Sequence, residues 1–130
     1  MIRIEEVNKY NENDKKLIKK LEELPPNFWD FKNSDTSSLV HGIHSYPAMM
    51  IYPISRNILN IVSSITNVDT ILDPFAGSGT VLVEAMRKGI KDIYGNDLNP
   101  LARLISKVKT TVIIKSELAN YKDILLKGIE

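Results

Sequence analysis

Asp73-Pro74-Phe75-Ala76-Gly77-Ser78-Gly79-Thr80 is the segment whose residue types and spacing point most directly to chemistry. Gly77 and Gly79 allow backbone conformations and a close approach that a Cβ would forbid. A helix beginning at Thr80 would offer the unpaired N–H groups of its first turn to a carboxylate or a phosphate. Two phosphate-binding patterns fail at defined positions. The dinucleotide fingerprint needs Gly at position 82, where Leu82 stands, and the P-loop needs Lys after its last Gly, where Thr80 stands. Asp73 would also repel a phosphate at that point. A ligand with an ammonium beside a carboxylate fits better. The ammonium can meet Asp73, and the carboxylate can meet the Gly-turn amides or the Thr80 hydroxyl. A methionine moiety carries both groups.

Gly95-Asn96-Asp97 lies further along, with Asp97 24 positions after Asp73. In a parallel βαβ unit an acid about 20 residues on reaches ribose hydroxyls. A carboxylate accepts both donors of a cis-diol. An amino acid at one strand end and a ribose at the next describe S-adenosylmethionine, which is the cofactor expected.

The elements that must hold these groups can be read from periodicity. Thr70-Ile71-Leu72-Asp73 reads as a short buried strand. Thr80 to Lys88 reads as a helix closed near Gly89. Asp92 to Asn96 reads as a second strand ending at Asp97, and Pro100 to Lys107 as another helix. Thr111 to Ile114 is expected to form a third strand, and Ser116 to cap a last helix running to Lys127, with Gly128 at its end. Upstream, Ile54, Ile58, Ile61, Val62 and Ile65 make one apolar stripe, which predicts a helix over about 53–66 with Pro53 in its first turn. Leu17, Ile18, Leu21 and Leu24 predict an amphipathic helix from about Asp14 to Leu24, stopped by Pro25-Pro26. Residues 25–52 have no period and read as an ordered loop. The order strand, helix, strand, helix is that of a parallel sheet in an α/β fold. The expected organisation is an N-terminal helix and loop arm over 1–52 and a partial cofactor-binding domain over 53–130.

Composition sets the outer limits. The 130 residues suit one domain, and 43% apolar content allows a core. No apolar run reaches the roughly 20 residues of a membrane-spanning helix. Met1 to Glu6 lacks a signal-peptide pattern. The absence of Cys excludes disulfides, Cys-ligated zinc and thiol catalysis, and fits a reducing cytoplasm. Two His without a carboxylate cluster argue against a protein-built metal site. A net charge of +1 gives no global field for nucleic acid. Arg103, Lys107, Lys109 and Lys115 form a modest basic patch, for which a solvated face is the stronger reading.

Asp73 to Thr80 resembles motif I, D-P-F-x-G-x-G-T, of the amino-group DNA methyltransferases, which make N6-methyladenine or N4-methylcytosine. Asn96-Asp97-Leu98-Asn99-Pro100-Leu101-Ala102 is similar to their motif II region. His44-Ser45-Tyr46-Pro47-Ala48 resembles the H-x-Y-P-A segment that borders the methionine end of the cofactor. Trp29-Asp30-Phe31-Lys32 and Lys109-Thr110-Thr111 are also similar to family segments. The resemblance covers roughly residues 28–112. It implies an incomplete Rossmann-like class I methyltransferase fold and DNA methylation of the restriction-modification kind. It also implies that Asp73, Phe75, Ala76, Gly77, Gly79 and Thr80 line the methionine side of S-adenosylmethionine. Asp97 would hold the ribose, Leu98, Asn99 and Leu101 would lie near the adenine, and His44 and Tyr46 would close the methionine end. Plain packing competes for Phe75 and Leu101 and is the stronger reading for His41. A helix-capping role competes for Asp97.

The family's catalytic motif, [D/N/S]-P-P-[Y/F/W], is missing. The single Pro-Pro pair reads Leu24-Pro25-Pro26-Asn27, with neither the polar residue before it nor the aromatic after it. By the resemblance, the full sheet order is 3-2-1-4-5-7-6 and the motif follows strand 4. About 60 residues follow the first strand here, whereas one crossover unit takes about 30. The expectation is therefore a cofactor-binding subunit or fragment. Its strand 1 edge would pair with a second polypeptide carrying the catalytic motif, or with another copy of this chain, and DNA would be reached through the completed enzyme. Two alternatives stay open: an RNA methyltransferase fragment, and a non-catalytic interaction module.

Overall fold

The computed structural model describes residues 10–44, 46–47 and 49–128. Met1 to Glu6, and Ser45 and Ala48 of the His-Ser-Tyr-Pro-Ala segment, lie outside the described residues.

Helix α1 spans Glu12–Glu22, starting earlier than the apolar spacing suggests. Asn11 sets that start. Its side chain accepts from the amides of Asn13 and Asp14, while the Asp14 carboxylate accepts from the Asn11 N–H, a reciprocal box that satisfies otherwise orphaned donors. Helix α2 spans Tyr52–Ser63, with Pro53 in its first turn as expected. The stripe of Ile54, Ile58, Ile61 and Val62 does not face the core. It faces α1, and with Leu17, Leu21 and Trp29 it lines an apolar groove of 530 Å³. The buried residues of α2 are Tyr52, Ser55 and Leu59. The helix lies between two neighbours and carries a contact surface for each.

Strand β1 (Thr70–Asp73), helix α3 (Thr80–Lys88) and strand β2 (Asp92–Gly95) form one βαβ unit, the start of an incomplete Rossmann-like sheet. The strands pair in parallel with Asp73 opposite Gly95, so their carboxyl ends lie side by side. Leu59, Ala85 and Ile90 form the buried core, with Val68, Ile71 and Ile93 packed against it. The other face of the sheet is bare: Leu72 is 64% and Tyr94 57% exposed. The expectation of a buried β1 is thus corrected for half the strand, because α2 and α3 cover only the Ile71 face.

Helix α4 (Pro100–Thr110) packs on α3 and runs past the expected Lys107. Thr111 to Ile114 is not a strand. Its β-branched residues suit a pleated surface, but propensity forms no ladder without a partner edge, and none meets it among the described residues. Helix α5 spans Lys115–Lys127 and is capped by Ile114 with no side-chain hydrogen bond, so Ser116 is not its cap. Gly128 ends it as expected, its amide donating to the carbonyls of Ile124 and Leu125. Every residue from 111 to 128 is exposed. The chain's accessible surface is 10091 Å². A compact monomer of its 14.7 kDa would show about 6,900 Å². Among the described residues no helix is long and apolar enough to cross a membrane.

Candidate functional site

The Gly turn is built by short-range hydrogen bonds and one close helix approach. Asp73 ends β1, and its Oδ1 accepts from the Phe75 N–H at 3.0 Å, which bends the chain away from the strand. The Ala76 amide donates to the Asn96 carbonyl and the Asn96 amide to the Asp73 carbonyl, each at 2.9 Å, so the ends of β1 and β2 are stitched together. Gly77 and Gly79 have φ of +50° and +81°. A Cβ on Gly79 would stand 2.8 Å from the Ser106 Cβ, so α4 approaches the turn as closely as backbone allows.

A cavity of 290 Å³ opens at this turn. Of the residues expected at the site, Tyr46, Asp73, Phe75, Ala76, Gly77 and Thr80 line it. Met49, Met50, Ser78 and Val81 line it too, and the sequence reasoning missed them. Ser78 had a signal, since it stands between the two glycines. Met49 and Met50 directly follow the Tyr-Pro-Ala segment. Asp73 Oδ2 carries no hydrogen bond among the described residues. The Ser78 hydroxyl oxygen is shut off from solvent and has no partner among the described residues, so it does not open into the cavity. The first amides of α3, at Thr80 and Val81, have no carbonyl inside the helix to bond. An acid and a helix N-terminus therefore meet at one small space, and this pair fits a zwitterionic amino-acid end. The Thr80 hydroxyl donates to the Met50 carbonyl at 3.3 Å, so its proton is used within the wall.

Asp97 does not line the cavity but holds its floor. Its Oδ2 accepts from the Gly77 N–H and its Oδ1 from the Asn99 N–H, both at 2.8 Å. The helix cap is Asn99 rather than Asp97, whose carboxylate holds the cap residue's own amide and ties the β2 end to the Gly turn. Asn99 caps α4 by accepting from the Leu101 N–H, and its Nδ2 donates to the Tyr46 hydroxyl at 2.9 Å. Gly79 sits behind the cavity under Ser106. Phe75, at 88% exposed, and Leu98, at 96%, project from the ends of β1 and β2, and Leu101 is half-exposed, so plain packing does not account for them. His44 is exposed and stands outside the cavity lining.

His41 is buried, in keeping with its packing reading. It belongs to a hub around Glu84 of α3, whose side chain is wholly buried. The His41 Nε2 lies 3.0 Å from Glu84 Oε1. Arg56 donates from Nε and a terminal nitrogen at 2.8 and 3.1 Å, and Arg87 donates from Nε at 3.1 Å. Burial pushes the Glu84 carboxyl up, but the hydrogen bonds from Arg56, His41 and Arg87 outweigh it and bring it down to about 2. The His41 ring stacks on Tyr52 at 4.7 Å, and the Arg56 guanidinium lies over the same ring at 4.3 Å.

The basic patch loses one member. Lys109 is buried, its amine has no partner among the described residues, and burial lowers its pKa. Arg103, Lys107 and Lys115 are exposed. Among the described residues no group of three His, Asp or Glu side chains could hold a metal ion.

Comparison with known proteins decides the family. The N6/N4 methyltransferase family model, described as DNA methylase, matches residues 3–107. The chain belongs to the N6/N4 DNA methylase family. This methylase chain is 39% identical over 113 residues to the type II methyltransferase M.MvaI of Kocuria varians, covering 84% of the chain and 25% of that relative. It is 40% identical over 87 residues to the type II methyltransferase M.MjaII of Methanocaldococcus jannaschii, covering 67% of the chain and 15% of that relative. The methylase chain therefore spans a quarter or less of the curated relatives it matches. No solved structure shows a significant match.

Proposed function

We propose that the chain is the S-adenosylmethionine-binding portion of a DNA amino-methyltransferase, and that methyl transfer requires the catalytic motif from a partner chain or from a C-terminal part beyond these residues. The observation that carries the cofactor reading is the meeting of Asp73 and the α3 N-terminus at one cavity. Asp73 Oδ2 takes the ammonium. The Thr80 and Val81 amides take the carboxylate. At 290 Å³ the cavity is at the lower edge of the roughly 300–1,000 Å³ of small-molecule sites, so it houses the amino-acid end and leaves the nucleoside over the end of β2. There Asp97 accepts the ribose hydroxyls. Its two oxygens each hold one amide already, but a carboxylate has about four acceptor positions, which leaves two. Leu98, Asn99 and Leu101 flank the adenine, and Tyr46 closes the methionine end.

S-adenosylmethionine, when bound, supplies an activated methyl group. The chain's own part is to bind and orient it, since alignment of reacting atoms makes up much of such chemistry. No [D/N/S]-P-P-aromatic tetrapeptide occurs in the 130 residues, so hydrogen bonding to the target amino group and stacking on the target base fall to residues outside them, on a partner chain or a further part of the same protein. Support for a partner comes from the sheet. The outer edge of β1 pairs with no strand among the described residues, and Leu72 and Tyr94 leave one face bare. An open apolar edge and face are association sites.

Titration calorimetry with S-adenosylmethionine, followed by methyl-transfer assays on DNA and RNA, tests the reading. The expected result is saturable binding by the chain, no transfer by the chain alone, and DNA methylation once the partner is added. No heat and no thermal shift would instead favour a non-catalytic module. Transfer by the isolated chain would remove the need for a partner, and methylation of RNA alone would move the substrate.

A further inference from the structure

We infer that the Glu84 hub is a remote clasp for the cofactor pocket, with His41 as a positioning residue that holds the arm against the cavity. The chain leaves the sheet side of the molecule at His41 and returns at Tyr52, and those two residues stack on each other. The segment between them is therefore a closed loop whose two ends meet over one carboxylate. Glu84 bonds the outgoing end through His41, and it bonds the returning helix through Arg56, which lies over the Tyr52 ring. From this loop Tyr46, Met49 and Met50 reach the cavity wall. Two weaker ties hold the middle of the loop: the Tyr46 hydroxyl accepts from Asn99, and the Met50 carbonyl accepts from Thr80. The turn that carries His41 also contains Leu39 at φ +56°, a left-handed conformation that costs a non-Gly residue energy unless its surroundings hold it. None of the clasp residues His41, Tyr52, Arg56 and Glu84 lines the cavity, and His41 bears on the pocket through the loop.

Hydrogen exchange and calorimetry on the 130-residue chain test this with His41→Ala and His41→Phe. His41→Ala removes both the stack and the bond to Glu84. His41→Phe keeps the ring on Tyr52, leaves Glu84 with both arginines, and serves if the alanine variant does not fold. The expected result is loss of amide protection in peptides covering 42–51 by tenfold or more in His41→Ala, and by less in His41→Phe, with β1 and α3 unchanged. S-adenosylmethionine affinity should fall about tenfold in His41→Ala at unchanged stoichiometry. Protection in 42–51 equal to wild type in a folded variant, or a uniform loss over the whole chain, overturns the clasp. The affinity arm rests on the cofactor reading, whereas the exchange arm does not. A wild-type chain that binds no S-adenosylmethionine defeats that reading and leaves the clasp to be judged by exchange.

Discussion

The two ends of the α3 neighbourhood are built in opposite ways. On the α2 side, Glu84 is wholly buried and each of its oxygens is satisfied by a named donor. On the far side of the sheet Leu72 and Tyr94 face outward; elsewhere 111–128 carries Val112, Ile113, Ile114, Leu118, Tyr121 and Leu125 exposed. A closed polar hub fixes where backbone goes and leaves nothing for a partner to add. A bare apolar face contributes little until something covers it. The difference separates two surfaces: the α2 side of α3 is closed by its own side chains, and the outer face of the sheet is bare among the described residues.

Breaking the hub should have the largest effect. Glu84→Ala leaves two guanidiniums and an imidazole facing a void, and breaking a buried ionic set in this way costs about 3–5 kcal/mol, which chemical denaturation would read as loss of most of the chain's stability. Matched cuts on the two faces of β1 come next. Ile71→Ala, on the covered face, should cost about 2–4 kcal/mol, whereas Leu72→Ala should stay within about 0.5 kcal/mol of wild type. If the Leu72 substitution cost as much as the Ile71 one, the face would be covered after all. Gly79→Ala should follow at about 2 kcal/mol, because the new methyl meets Ser106 and the left-handed backbone disfavours it.

Acid is a gentler probe of the same contrast. The Glu84 carboxyl is lowered in the fold from 4.5 to about 2, so its contribution is fully present above pH 4.5 and is lost as the pH falls toward 2. Denaturation midpoints measured across that window should therefore fall on acidification, and Glu84→Gln should flatten that part of the profile.

The βαβ unit was the most legible part. Thr70–Asp73 and Thr80–Lys88 could be bounded to the residue because Asp73, the glycines and Gly89 punctuate them chemically. Asp73, Phe75, Gly77 and Thr80 were found at the cavity for the same reason. The hub was not legible: His41, Arg56, Glu84 and Arg87 come from a loop and two helices, and nothing local links them. The stripe on α2 misled because one helix carries two contact surfaces, and the more apolar one faces α1 rather than the core. Thr111 to Ile114 read as a strand on β-branched content, yet a strand exists only with a partner edge. Met49 and Met50 were missed because an aperiodic loop gives no clue to where it folds back.

The central claim is that an acid at the end of β1 grips the ammonium of S-adenosylmethionine. Parallel calorimetric titrations of the wild-type chain, Asp73→Asn and Leu72→Ala test it most directly, since Asn keeps an oxygen for the Phe75 amide and removes the charge. The account predicts saturable binding by the wild type, affinity weakened tenfold or more in Asp73→Asn, and no change in Leu72→Ala. Equal affinities for all three chains would contradict it.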